Sequence, residues 1–147
     1  MNVYLACTVR GDRSALESTR AIAATITALG HTLLTAHLLE DDADAAESAL
    51  SERDVYERDL EWLSRADVLI AEASGSSYGV GFEVGYFLAN AGERGRHMLL
   101  VYDDARRTSV SRLVVGNSHP RCTTYGYRDA AGLLRVVGDF LVARSRP

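Results

Sequence analysis

Two carboxylates stand where helix periodicity does not put charge. Residues Val80 to Ala91 read as a helix that is apolar on every face, with Glu83 as its only charge. Such a helix should be buried, and its one acid should sit among protein atoms. Glu83 follows a glycine-rich stretch, so it is expected in the first helical turn. The helix dipole would there stabilise an anion and keep its pKa low. A charged, partly desolvated carboxylate at a ligand-binding edge suits a nucleophile. The second acid is Asp59, in a helix predicted over Val55 to Arg65. At about 100° per residue, Tyr56, Leu60 and Leu63 share one side, whereas Glu57, Arg58, Glu61 and Arg65 fall on the solvent side. Asp59 lands between Trp62 and Leu63, inside the apolar arc, where a carboxylate needs partners or a role. The plain alternatives are an ordinary N-terminal helix acid at 83 and an arc-edge acid at 59 that caps or forms a salt bridge.

Between these residues lies Ser74-Gly75-Ser76-Ser77-Tyr78-Gly79-Val80-Gly81. Free backbone amides, hydroxyls and a helix dipole together favour an anion, typically phosphate. Its closeness to Glu83 suits a small phosphorylated molecule whose reacting carbon is a short distance from its phosphate. Arg10, just after an apolar strand, suits contacts to phosphate or base; a solvated loop arginine is the alternative. Arg106, Arg107 and Arg112 form a local basic cluster that either assists phosphate binding across a dimer interface or is simply solvated.

The elements that must position these residues alternate. Strands are predicted at Val3–Cys7, Thr32–Ala36, Asp67–Ala71, His97–Tyr102 and Cys122–Tyr127. Helices are predicted at Ser14–Leu29 (stopped by Gly30), Val55–Arg65, Val80–Ala91 and Ala130–Ala143. Glu40–Glu52 reads as a loop or a loosely held helix, and Ser109–Val115 is ambiguous. This alternation predicts one α/β domain over residues 1–147, with a doubly wound, five-stranded parallel sheet in the order 2-1-3-4-5. Ligands bind such sheets beyond the carboxyl ends of the strands, at the switch point between the first and third. The loops Thr8–Arg13 and Ser74–Gly81 should meet there.

Composition narrows the chemistry. A chain of 147 residues with 47% apolar content builds a sizeable core. No apolar run is long enough to span a membrane and no signal-peptide pattern opens the chain, so the expected address is the cytoplasm. The net charge of −4 argues against binding a nucleic acid polymer. Every basic residue is arginine, which excludes a Schiff-base lysine and the lysine of a P-loop. Cys7 and Cys122 read as reduced thiols. The scattered histidines have no metal-ligand spacing, so neither a metal nor another cofactor is expected.

The stretches VYLACTVRGDR, ERDLEWLSRADVLIAEAS and SYGVGFEVGYFLA resemble the nucleoside 2-deoxyribosyltransferases. The likeness is greatest to their hydrolytic branch, the 2'-deoxynucleoside 5'-phosphate N-hydrolases. It continues faintly through Leu99–Val101 and Ser109–Gly116, and Glu40–Glu52 has no clear match. The resemblance implies cleavage of the N-glycosidic bond of a nucleoside 5'-monophosphate through a covalent glycosyl–enzyme intermediate. It assigns Glu83 as the nucleophile, Asp59 as the acid that supports the departing base or orients the nucleophile, and Tyr4 as the residue that positions Glu83. It places Ser77 and Gly79 on the 5'-phosphate, and the Thr8-Val9-Arg10-Gly11 turn beside base and sugar. It also implies a homodimer in which Ser111, with Ser109 as a rival, reaches the neighbouring site's phosphate. Base exchange on deoxynucleosides and a non-catalytic nucleotide sensor are the alternatives; the further helix over Asp129–Arg144 and the Ser77/Ser111 pair favour hydrolysis. Neither the base nor ribose versus 2'-deoxyribose is legible.

Overall fold

A computed structural model describes residues 1–9, 11–40, 43–75, 77–92 and 95–145. Strands β1 (Asn2–Ala6), β2 (Thr32–Leu33), β3 (Val68–Glu72), β4 (His97–Asp103) and β5 (Cys122–Tyr127) form one sheet, order β2-β1-β3-β4-β5. Every pairing is parallel. The α/β class and strand order are therefore those read from the sequence. Helices are α1 (Leu16–Ala28), α2 (Ala43–Ser48), α3 (Glu52–Arg65), α4 (Tyr78–Ala89), α5 (Arg112–Val115) and α6 (Ala130–Ser145). Among the described residues, no helix is long and apolar enough to cross a membrane.

The central strands are apolar without a break because both faces of a parallel sheet are covered. Val3, Leu5, Val68, Ile70, Leu99 and Val101 pack with residues of α1 and α6. Tyr4, Ala6, Leu69, Ala71, Met98 and Leu100 pack with residues of α3 and α4. The two-residue period of a strand thus turns Tyr4 toward α3 and α4.

Most elements shift by one or two residues at an end, and three of the differing boundaries have a local reason. Strand β2 stops at Leu33, because the Leu5 N–H donates to Thr35 Oγ1 (3.2 Å) and the Thr35 hydroxyl donates to the Leu5 carbonyl (2.8 Å). A side chain thereby replaces the next ladder bonds, and the chain enters a 3-10 turn over Ala36–Leu39. Helix α3 starts at Glu52, three residues early, on a capping box: Ser51 Oγ accepts from the Asp54 amide and Asp54 Oδ2 accepts from the Ser51 amide, both at 3.2 Å. Helix α4 starts at Tyr78 with Ser77 as its N-cap, whose Oγ accepts from the Val80 amide at 3.3 Å. The acidic segment holds α2, and the ambiguous stretch holds α5.

Thr35 is buried, so Thr35→Val keeps the shape and strips both bonds from the Leu5 peptide. Chemical unfolding should show a loss of about 1–3 kcal/mol; a loss within error would refute the role of that hydroxyl.

Candidate active site

A cleft of about 450 Å³ opens at the carboxyl ends of β1 and β3. Strand β1 leads into its Cys7 and Val9, α3 supplies Arg58 and Asp59, and α4 supplies Gly79, Val80 and Glu83. Leu38, Glu47, Ser48 and Leu50 close its far side. A wider groove of about 650 Å³ over the ends of β4 and β5 contains neither Glu83 nor Asp59.

At the base of the cleft the Tyr4 hydroxyl donates to Glu83 Oε1 at 2.5 Å. Burial, reinforced by the charges of Glu83 and Asp59, holds the Tyr4 phenol far above its ordinary pKa, so it stays a neutral donor. Glu83 is pushed up to about 8. Burial is the main cause; the hydrogen bond from Tyr4 opposes it and the charge of Asp59 adds to it. This overturns the expectation of a low pKa. With the helix starting at Tyr78, Glu83 lies in the second turn, and the dipole effect fades within the first. Desolvation is left to dominate. Burial and then the charge of Glu83 push the Cys7 thiol up to about 12.

Asp59 is partly buried, its side chain 25% exposed, and ion-paired with Arg58 at 2.9 Å. Burial raises its pKa, and the Arg58 guanidinium works against that. Arg58 does not face solvent as its helical position suggested. It lies over the Trp62 ring, 4.8 Å from the centroid, and donates to Glu47 Oε1 (2.7 Å) and Oε2 (3.1 Å). His37 Nε2 also contacts Glu47 Oε1, at 3.2 Å. Helix α2 is thus tied to α3 across the cleft. Nothing in the acidic composition of that segment singled out Glu47.

Of the residues named from the sequence, Val9, Asp59, Ser77, Gly79 and Glu83 line the cleft, and Tyr4 holds Glu83 from below. Thr8 is buried and turned away; its hydroxyl donates to the Gly75 carbonyl at 3.3 Å. Gly11 has φ +99° and does not line the cleft. Arg10 lies outside the described residues. Ser111 caps α5 and lines a separate, apolar groove that shares Ser77 with the cleft. Arg106 pairs with Asp12, and Arg107 with the Tyr102 hydroxyl.

One buried acid went unnoticed. Glu72 ends β3 at 1% exposure. Its Oε1 accepts from the Ser74 and Tyr127 hydroxyls, the latter at 2.9 Å, and its Oε2 accepts from the Ser74 amide at 3.2 Å. The Ser74 Oγ in turn accepts from the Asp103 amide at 2.7 Å. A lone glutamate ending an apolar strand was the available signal.

The family model for nucleoside 2-deoxyribosyltransferases matches residues 3–132. The chain belongs to the nucleoside 2-deoxyribosyltransferase family. Within it, the chain is 39% identical to a provisionally named 2'-deoxynucleoside 5'-phosphate N-hydrolase of Thermofilum pendens, over 96% of this chain and 95% of that protein. It is 31% identical to a 5-hydroxymethyl-dUMP N-hydrolase of Esox lucius, over 79% of each. The fold matches the solved structure of a Clostridium botulinum CMP N-glycosidase with a TM-score of 0.65 at 16% identity, covering 95% of this chain and 99% of that one.

For this family member the Glu83 environment predicts a pH signature. Its carboxyl titrates near 4.5 when unfolded and near 8 when folded. Between those values unfolding releases a proton, so the group's contribution to stability falls as pH rises and levels off above about 8. Glu83→Gln should therefore gain in Tm over the parent between about pH 5 and about pH 9. A pH-independent difference would refute the raised pKa.

Proposed function

We propose that this protein hydrolyses the N-glycosidic bond of nucleoside 5'-monophosphates, releasing free base and sugar 5-phosphate through a glycosyl–Glu83 intermediate. The observation that carries this reading is the 2.5 Å bond from Tyr4 to Glu83 at the base of a cleft that also holds Asp59 and the Ser77 turn. The names of the relatives support it.

The charges orient the substrate. A phosphate dianion is repelled from the end bearing Glu47, Glu52 and Asp59. It is favoured at the α4 N-terminus, which offers the Ser77 hydroxyl and first-turn amides. The sugar then lies over Glu83. The Tyr4 bond engages Oε1 and leaves Oε2 to attack C1'. As the C1'–N bond breaks, its electron pair leaves with the base, and C1' gains oxocarbenium character that the carboxylate stabilises and then bonds. Asp59, with its raised pKa, suits proton delivery to the departing base. Water then attacks C1', breaks the ester to Glu83, gives a proton back to Asp59 and restores the Glu83 carboxylate. Because Glu83 is pushed up to about 8, the ionised fraction, its proton released to solvent, is what attacks at neutral pH, and the developing positive charge at C1' stabilises that carboxylate.

We further propose a homodimer. Tyr78 is fully exposed, Leu113 86% and Phe82 52% exposed. Tyr78 and Leu113 line the groove that carries Ser111. Pairing through this face would bring Ser111 to the partner's phosphate. Sedimentation of the chain as a monomer at assay concentration would overturn that arrangement.

Glu83→Ala should lower base release from nucleotides by about 10³-fold or more while nucleotides still bind. Undiminished turnover would remove Glu83 from the mechanism. Carried out with and without a second free base, the same assay separates hydrolysis from base exchange. Ser77→Ala and Ser111→Ala should each weaken a 5'-monophosphate about tenfold more than the bare nucleoside; equal losses would show that these hydroxyls do not hold phosphate.

A further inference from the structure

The cleft end opposite the Ser77 turn is rich in acceptors and short of donors. Glu47 and Glu52 line the cleft together with Asp59. Among the described residues, Arg58 is the only cationic side chain lining it. Arg58 makes four hydrogen bonds: Nε and Nη2 donate to Asp59 Oδ1, and Nη1 and Nη2 donate to the two oxygens of Glu47. A guanidinium has only five N–H groups, so little of Arg58 is left for a ligand. Among the described residues, Glu47 Oε2 accepts a single bond and retains a lone pair. Asp59 Oδ2 takes no bond from the described residues.

This end lies over β1 and β2, because α2 packs on the turn that follows β2, whereas the Ser77 turn follows β3. With the phosphate at Ser77 and the sugar over Glu83, the base points at Glu47. We propose that the Glu47 carboxylate selects bases with an exocyclic amino group at the edge remote from the sugar, cytosine and adenine, over uracil and hypoxanthine. An amino N–H completes a charge-assisted bond to Oε2, whereas a carbonyl at the same position sets lone pairs against an anion. The carboxylate cannot turn away easily: the Arg58 fork grips both its oxygens and Arg58 itself lies over Trp62. The same fork holds the Glu47 carboxyl below its ordinary pKa, which keeps it an acceptor at neutral pH.

This selection rests on the nucleotide reading of the cleft, and binding tests it apart from turnover. The Glu83→Ala chain is titrated calorimetrically with the matched pairs CMP and UMP, AMP and IMP, each as ribo- and deoxyribonucleotide, and the parent is assayed for base release from all of them. CMP should bind about tenfold or more tightly than UMP, and AMP than IMP, and kcat/KM of the parent should follow the same order. Glu47→Gln presents an amide that both donates and accepts, so it should weaken CMP and AMP and leave UMP and IMP equal or tighter. Equal binding within each pair, or a Glu47→Gln chain that weakens all four alike, would overturn the proposal. Amino preference in binding without base release by the parent would leave the selection standing and remove the hydrolase reading.

Discussion

A buried phenol on the first strand holds a glutamate on the fourth helix, and the geometry of the cleft follows from that bond. Tyr4 and Glu83 are 79 positions apart in sequence, so their contact demands the parallel β1–β3 pairing and the packing of α4 across it. A slip of one residue in β1 would turn Tyr4 toward α1 and α6 and leave Glu83 without its donor. A hydrogen bond to a charged group contributes about 1.5–3 kcal/mol. Here it does not outweigh desolvation, since the Glu83 pKa still rises to about 8. Ionising this carboxyl is therefore unfavourable, because the packed surroundings keep water from it. Tyr4 is fully buried, as are Leu69 and Phe87 in the same core.

The second constraint is the arginine between two acids. Arg58 bonds Glu47 through Nη1 and Nη2 and Asp59 through Nε and Nη2. A lysine ammonium presents a point charge and could not grip both carboxylates in fixed planes. The fork joins α2, a helix of six residues too short to be stable alone, to the long helix α3. It engages Asp59 Oδ1, and Asp59 Oδ2 takes no bond from the described residues. The unequal pulls on the two acids separate their pKa values: Glu47 is lowered, with its Arg58 bonds as the main cause, whereas Asp59 is raised by burial despite Arg58. The same arginine thus sits between one carboxyl held in its charged form and another that burial makes easier to protonate.

Much of this arrangement was legible because it rests on periodicity. The alternation of strands and helices announced a covered parallel sheet, and the all-apolar reading of the helix that became α4 made Glu83 conspicuous. The position of Asp59 in the arc of α3 followed from the same arithmetic. What depends on a single side-chain bond was not legible. The early end of β2 is set by the Thr35 hydroxyl, and the early start of α3 by Ser51 and Asp54. Arg58 was misplaced because helical phase gives the direction of Cβ and not the reach of a long side chain folded back over Trp62. The raised pKa of Glu83 was missed for a compound reason: the helix begins at Tyr78, which carries the acid beyond the reach of the dipole and deeper among protein atoms.

The buried Glu72 network fixes Ser74, in the turn ahead of α4 and Glu83. Glu72 is fixed in β3 and grips Ser74 through both amide and hydroxyl, while Tyr127 of β5 and the Asp103 amide at the end of β4 hold the same cluster. Three strand ends thereby converge on one loop residue. The next residue leaves no room for adjustment: a Cβ on Gly75 would lie 2.6 Å from both the Asp12 carbonyl oxygen and Thr8 Oγ1. Gly75 thus packs directly against Thr8 and the Asp12 backbone of the β1–α1 loop. In the proposed reaction, phosphate bound at Ser77 transmits its position to C1' through a short, stiff sugar. A misplacement of about 1 Å there can cost on the order of 10²-fold in rate. A buried carboxylate with no cation of its own is an expensive way to hold a serine. Its three hydrogen bonds are directional where apolar packing is not, and this loop must be held in direction as well as in place.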